Sequence, residues 1–171
     1  MRRIDRSLSQ DEALKIIDES EYGVMSCVGD DGQIFSIPLS IVRDKMSIFI
    51  HGANSGTKAN LFKNGRKVSV VCVSFNQVPN LSQIEFQNIK NDSKALGNNV
   101  FTTEYKSAIA QTKVYEITDE KAKIDALRLL CEKYTPEFME AFETAALPAL
   151  KITKIYEFKI QQISAKAKII K

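Results

Sequence analysis

The segment 67–75 constrains the fold most, because it reads as a strand that is apolar on both faces. A strand of this kind has to be covered on both sides. The interior of a barrel would cover one face, and a helix or a partner subunit would cover the other. The alternating side chains are Val68, Val70 and Cys72 on one face and Val71, Val73 and Phe75 on the other.

The remaining chain alternates strand and helix patterns without a long linker or a repeat, which favours one domain over residues 1–171. A capping box at Ser9 and Glu12 predicts a helix over 10–20. Further helices are predicted near 59–62, over 119–134 and from Thr135-Pro136 onward. Six strands joined mostly as antiparallel hairpins predict an α+β protein built on a small barrel. The predicted strands are 22–28, 34–42, 46–50, 67–75, 101–117 and 152–163.

Pro38 stands inside the second predicted strand. Proline lacks the N–H that a sheet ladder requires, so it marks either a bulge or a sheet edge. At such a position the backbone is free to face something other than a neighbouring strand.

The segment from His51 to Lys58 is the most suggestive for function, because a glycine-containing loop leads from a strand into a helix start. Free N–H groups at a helix start attract anions, and Lys58 adds a full positive charge. The spacing of Gly52 and Gly56 does not match the nucleotide-binding P-loop. The segment therefore fits either a phosphate site or an ordinary capped turn with a solvated lysine.

Residues 76–100 are rich in Asn, Gln, Ser and Gly, with Ile84, Phe86 and Ile89 scattered among them. A loop of this length is uncommon in a compact domain. We expect either a lid beside a binding cleft or a small substructure of its own.

Charge and cysteine usage exclude several classes of function. The chain has 24 basic and 21 acidic residues spread along its length, with no basic cluster typical of nucleic-acid binding. The three cysteines have no zinc-ligand spacing, so no metal site is predicted. No apolar run is long enough to span a membrane and no secretory signal is visible, so we expect a cytoplasmic protein with reduced thiols.

The order of several short motifs resembles the nitroimidazole-resistance (Nim) branch of the pyridoxamine 5′-phosphate oxidase-like, FMN-binding split barrels. The resemblance extends over nearly the whole chain, and the order of the motifs supports it more than any single motif does. The motifs are Tyr22-Gly23-Val24-Met25-Ser26, Asp31-Gly32, Ile37-Pro38-Leu39-Ser40, Ile48-Phe49-Ile50-His51 with Gly56 and Lys58, Thr103-Glu104-Tyr105-Lys106-Ser107-Ala108-Ile109, and Glu132-Lys133-Tyr134-Thr135-Pro136.

This resemblance implies a six-stranded antiparallel split β-barrel with flanking helices, a homodimer, and FMN bound in the clefts between subunits. It implies that Thr57 and Lys58 hold the FMN phosphate and that His51 lies at the edge of the cofactor. Ser107 would reach the flavin from the partner subunit. The flavin ring would lie along the backbone of Ser36, Ile37, Pro38, Leu39 and Ser40.

The leading hypothesis is an oxidoreductase in which FMN reduces a small electrophile, such as a nitroaromatic compound. No catalytic residue is assigned, since the cofactor would carry the chemistry. A non-enzymatic flavin- or haem-binding module is the alternative, with His51 as the candidate haem ligand. A dimer without any cofactor is a third hypothesis.

Overall fold

A computed structural model describes residues 3–170, so Met1 and Arg2 lie outside the described residues. Seven strands and six α-helices alternate along this part of the chain. The strands are β1 (Gly23–Val28), β2 (Ile34–Leu39), β3 (Val42–Asp44), β4 (Ser47–Ala53), β5 (Lys67–Gln77), β6 (Glu104–Ile117) and β7 (Thr153–Lys168). The helices are α1 (Gln10–Glu19), α2 (Thr57–Leu61), α3 (Gln83–Ile89), α4 (Ser93–Asn99), α5 (Glu120–Tyr134) and α6 (Phe142–Ala149). None of the helices in this range is long and apolar enough to cross a membrane.

The strands form one antiparallel sheet in the order β2-β1-β5-β6-β7-β4-β3. β2 and β3 stand at opposite edges, yet only Ser40 and Ile41 separate them in sequence. Two residues span a gap of at most about 11 Å, so the sheet must curl until its edges approach each other. No ladder joins β2 to β3 within residues 3–170, and the sheet is therefore curled but not closed.

The predicted count of six strands is wrong, because the strand predicted over 34–42 ends at Leu39 as β2 and a separate strand, β3, begins at Val42. The N–H of Ile41 donates to the hydroxyl of Tyr134 at 2.9 Å, and its carbonyl accepts from Nζ of Lys133 at 3.0 Å. Side chains from the end of α5 thus occupy both backbone groups of Ile41. The chain leaves the edge of β1 at this point and pairs with β4 instead.

The core fills the concave side of the curled sheet. Phe62, which directly follows α2, lies in this core. The centre of its ring is 6.4 Å from that of Phe35 in β2 and 5.3 Å from that of Phe158 in β7, and both contacts are edge-to-face. α1 closes one end with three buried residues, and both hydrogen bonds of the predicted Ser9–Glu12 capping box are present. Together these contacts join the two halves of the sheet around one hydrophobic interior.

β5 has one fully covered face and one partly open face. Val68, Val70 and Cys72 are buried, as the two-sided pattern requires of the core face. On the other face Val73 remains 48% exposed. Across the sheet, Ile109 of β6 is 43% exposed on that same outer face, opposite Val71. The described helices therefore leave part of the second apolar face uncovered.

The segment 76–100 is a substructure and not a loop. β5 continues to Gln77, and α3 and α4 follow it. Ser82 and Glu85 form a capping box at the start of α3, and the Asp92 side chain caps α4. Neither helix buries a residue, so this pair of helices projects from the end of the β5–β6 hairpin without adding to the core.

Candidate functional site

The loop after β4 turns into α2 at the predicted helix start. Gly56 precedes the helix with φ +98°, a conformation that favours glycine, and Thr57 is the first helical residue. No side chain caps this start within the described residues, so its first N–H groups face outward. The helix has only five residues, and its dipole contributes less than the charge of Lys58.

Lys58 returns along α2 to lie against Gly52 of β4. A Cβ built on Gly52 would lie 3.1 Å from Nζ of Lys58 and 3.3 Å from its Cε. The missing side chain of Gly52 is therefore what makes room for the ammonium group. The ammonium group of Lys58 makes no hydrogen bond or ion pair with any residue in 3–170, so its charge is free to meet an external anion. The donor set fits a phosphate group.

His51 precedes Gly52 and points to the opposite face of β4, because successive strand residues alternate. Its imidazole is solvent-accessible and has no hydrogen-bond partner within residues 3–170. Desolvation by the surrounding atoms, and secondarily the charge of Lys58, hold the pKa of His51 below its ordinary value. The imidazole is therefore neutral near pH 7.

His51 also lies at the mouth of an apolar cavity of about 430 Å³. The walls come from α5, from the 3-10 helix Pro136–Ala141 and from α6, which together cover the outer face of β4 and β7. Pro136 begins the predicted helix, as expected, but the first turns are 3-10 and Thr135 does not cap them with its side chain. The hydroxyl of Thr135 donates to the carbonyl of Cys131 instead.

The strand predicted to carry the flavin is β2, and Pro38 lies on a sheet edge, which is one of the two predicted alternatives. Ser36 and Pro38 are exposed on the outer face, whereas Ile37 and Leu39 pack against the core. The side chains of Ile37 and Leu39 are therefore turned away from a ligand on the outer face. Ser40 is exposed just beyond the strand.

Ser107 of β6 is paired with Val73 and faces outward, on the same side of the sheet as Ser36 and Pro38. Two strands, β1 and β5, separate it from β2, which is about 14 Å along the sheet surface. Within one chain the predicted residues therefore fall into two groups. Thr57, Lys58 and His51 gather at the end of β4, and the residues of β2 and β6 share the outer face of the other half of the sheet.

Two functional features were not predicted from the sequence. One is the space that the missing side chain of Gly52 leaves for the Lys58 ammonium group. A glycine inside a strand is nevertheless a known sign that another group approaches the backbone closely. The other is the cavity beside His51, because the sequence pattern of the segments that line it predicted only helices packed against the core. Periodicity shows which residues are apolar, but it does not show that three helical segments leave a space between them.

Comparison with known proteins agrees with this architecture. The profile of a family described as pyridoxamine 5′-phosphate oxidase matches residues 9–167. The chain belongs to this family. The match includes β2, the end of β4 and α2, and therefore both groups of predicted site residues. No curated protein sequence matches the chain significantly.

Solved structures share the fold at low sequence identity. A candidate 5-nitroimidazole antibiotic resistance protein from Bacteroides thetaiotaomicron is 15% identical, with a TM-score of 0.71 over 94% of this chain and 86% of that one. The flavocytochrome Anf3 from Azotobacter vinelandii is 16% identical, with a TM-score of 0.77 over 99% and 72%. A FAD and heme binding protein from Mycobacterium smegmatis is 17% identical, with a TM-score of 0.74 over 95% and 73%.

Proposed function

We propose that this family member binds FMN and holds its phosphate at Thr57 and Lys58. The observation that carries the proposal is the unpaired ammonium of Lys58, seated where Gly52 lacks a side chain. The names of two structural neighbours, a flavocytochrome and a FAD and heme binding protein, support a flavin in this fold. A terminal phosphate dianion, such as that of FMN, is the group that Lys58 and the outward N–H groups of α2 would bind best.

The test compares FMN with riboflavin, which lacks the phosphate. We expect Lys58→Ala to weaken FMN binding by about 10- to 100-fold, since about 1.4 kcal/mol corresponds to tenfold and one charge-assisted hydrogen bond contributes about 1.5–3 kcal/mol. Riboflavin should bind the wild type poorly and be nearly indifferent to the substitution. An equal loss for both ligands in a fluorescence titration would show that Lys58 is structural.

We infer that the complete flavin site needs a second copy of the chain. The open apolar face around Val73 and Ile109, together with the outward Ser107, would form part of the contact between subunits. A stable dimer of this kind should bury more than about 2,000 Å². Light scattering at micromolar concentration should give twice the chain mass of 19.2 kDa, and a monomer mass would refute the homodimer.

The bound flavin would supply hydride or electron transfer to a small electrophile, and a nitroaromatic compound is our leading substrate. The name of the Bacteroides neighbour supports this choice. The chain's own part is to bind and orient the cofactor and to exclude water from it. Chemically reduced, FMN-loaded protein should regain its oxidised-flavin absorbance when mixed anaerobically with a nitroimidazole, and an unchanged spectrum would exclude this substrate.

Haem binding is the second candidate, because the His51 imidazole is accessible, unpartnered within residues 3–170 and held neutral. A neutral imidazole is the form that ligates haem iron. The absorption spectrum of the purified protein separates the candidates, since haem gives a Soret band and flavin does not. His51→Ala should abolish a Soret band, but it should change FMN affinity less than Lys58→Ala does.

A further inference from the structure

The cavity beside His51 has the volume and the lining of a small-molecule site. Its volume of about 430 Å³ falls within the range of roughly 300–1,000 Å³ that such sites occupy. Phe138, Met139 and Phe142 form one wall, and Leu127 and Cys131 of α5 form another. Aromatic rings and a thioether are groups that pack well against the face and edge of a flat ring.

Polar contacts outside the cavity hold its walls in place. The Arg128 guanidinium lies 4.5 Å from the centre of the Phe142 ring and 3.5 Å from a carboxylate oxygen of Glu143. Nζ of Lys123 donates to the carbonyl of Leu150, at the end of α6, at 2.8 Å. Both contacts join α5 to the α6 segment, so they hold together the two helices that line the cavity.

The polar groups of the cavity lie at the β-sheet end, where His51 and Thr153 line it. Neither side chain has a hydrogen-bond partner within residues 3–170. Among residues 3–170, no Asp, Glu, Lys or Arg side chain is part of the lining, and the pKa of His51 is lowered. A charged ligand would therefore lose its hydration without gaining an opposite charge.

We propose that this cavity binds a small uncharged aromatic compound, with the ring between the α5 and α6 walls and one polar group directed to His51 and Thr153. This site is separate from the seat of Lys58, which lies on the opposite face of β4. Its occupation does not require bound flavin, so the test can succeed or fail independently of the proposed FMN binding.

Indole is a suitable probe, because the protein contains no tryptophan and the indole emission is therefore unobscured. We expect indole to bind with a blue-shifted emission and at least tenfold more tightly than indole-3-carboxylate, which has the same ring with a negative charge. Equal affinities for the two compounds would contradict the uncharged lining, and the absence of saturable indole binding would overturn the proposal.

Cys131 provides a second and independent readout. It is the only one of the three cysteines that is not buried, and burial raises the pKa of Cys72 to about 12. N-ethylmaleimide should therefore react first at Cys131, and saturating indole should slow that reaction at least fivefold when it is followed by mass spectrometry. An unchanged alkylation rate under saturating indole would show that indole binds elsewhere.

A matched pair of substitutions on α6 locates the site. Ala145 lines the cavity and is exposed, so Ala145→Phe should fill the cavity from its mouth without disturbing the core. Thr144 is equally exposed and does not line the cavity, which makes Thr144→Phe the control. We expect at least a tenfold loss of indole affinity in the first variant only, and equal affinities in the two variants would refute the assignment.

Discussion

The hydroxyl of Tyr134 holds the point at which the sheet remains open. It accepts the N–H of Ile41 at 2.9 Å, and it can donate to the carbonyl of Glu21 at 2.7 Å or of Ile41 at 2.8 Å. Ile41 is fully buried, so its N–H has no access to bulk water once the chain is folded. Tyr134→Phe keeps the ring and removes these hydrogen bonds together with the contact of the hydroxyl with Ser40.

We expect Tyr134→Phe to lower the free energy of unfolding by about 2–4 kcal/mol. Leaving a buried donor such as the Ile41 N–H without an acceptor costs about 1–3 kcal/mol, and the lost donated hydrogen bond adds about 1 kcal/mol. For a chain of 171 residues, each kcal/mol shifts the melting temperature by about 2–4 °C, which gives a decrease of about 5–15 °C.

Thermal and urea denaturation followed by circular dichroism measure this effect. Tyr22→Phe is the control, because Tyr22 is 55% exposed and its hydroxyl has no partner within residues 3–170. The control should change stability by less than about 0.5 kcal/mol. If the two variants are equally stable, water reaches the Ile41 N–H and the hydroxyl of Tyr134 does not hold the sheet edges together.

Four further predictions concern the glycines and the histidine. Gly52→Ala should weaken FMN binding by about tenfold, or 1.4 kcal/mol, because its Cβ displaces the flexible end of Lys58. Gly97→Ala is the control, because a Cβ at Gly97 meets no described atom within 4 Å, and it should leave the affinity unchanged in the same titration. Gly23→Ala should destabilise the fold by about 1–3 kcal/mol in thermal denaturation, because its Cβ would approach two buried side chains to 3.1–3.2 Å. In an NMR titration the single His51 should titrate below the usual value of about 6.5, and Lys58→Met should raise its pKa. Because the folded state disfavours the imidazolium, stability should fall as the pH drops below the ordinary imidazole pKa, and His51→Gln should remove that slope in denaturation at several pH values.

Local signals in the sequence predicted most elements of the fold. The Ser9–Glu12 capping box and the strand patterns over 22–28, 67–75 and 152–163 gave elements close to those observed, since both depend on near neighbours in the chain. Pro38 was predicted to lie at an edge or a bulge for the same reason, because a missing N–H is a property of the residue itself.

Long-range contacts decided the features that were predicted wrongly or not at all. The break at Ile41 depends on Tyr134, which is 93 residues away in the sequence, so no local pattern ends β2 at Leu39 and starts β3 at Val42. α3 and α4 lack the apolar stripe by which a helix is recognised, and the capping box of Ser82 and Glu85 was the one signal that could have revealed α3.

In the candidate site, too, the local features were predicted and the features that depend on tertiary contacts were not. The helix start at Thr57 and the charge of Lys58 are local properties, and the structure places both at the end of β4, as the sequence implies. The seat on Gly52 depends on how α2 returns over the strand, which is a tertiary contact. The cavity beside His51 depends on the packing of three helical segments that begin about 70 residues later.

α5 connects the features from which we infer function. Its end fixes Ile41, the residue through which β2 continues into β3, by means of Lys133 and Tyr134. Leu127 lies two helical turns before Tyr134, and Cys131 lies one turn before it. Both residues line the cavity beside His51. A shift of α5 along its axis would therefore move the exit of the proposed flavin strand and the wall of the aromatic pocket together. The hydrogen bonds to the Ile41 backbone oppose such a shift, because the N–H and the carbonyl of Ile41 are buried and would find no partner in water.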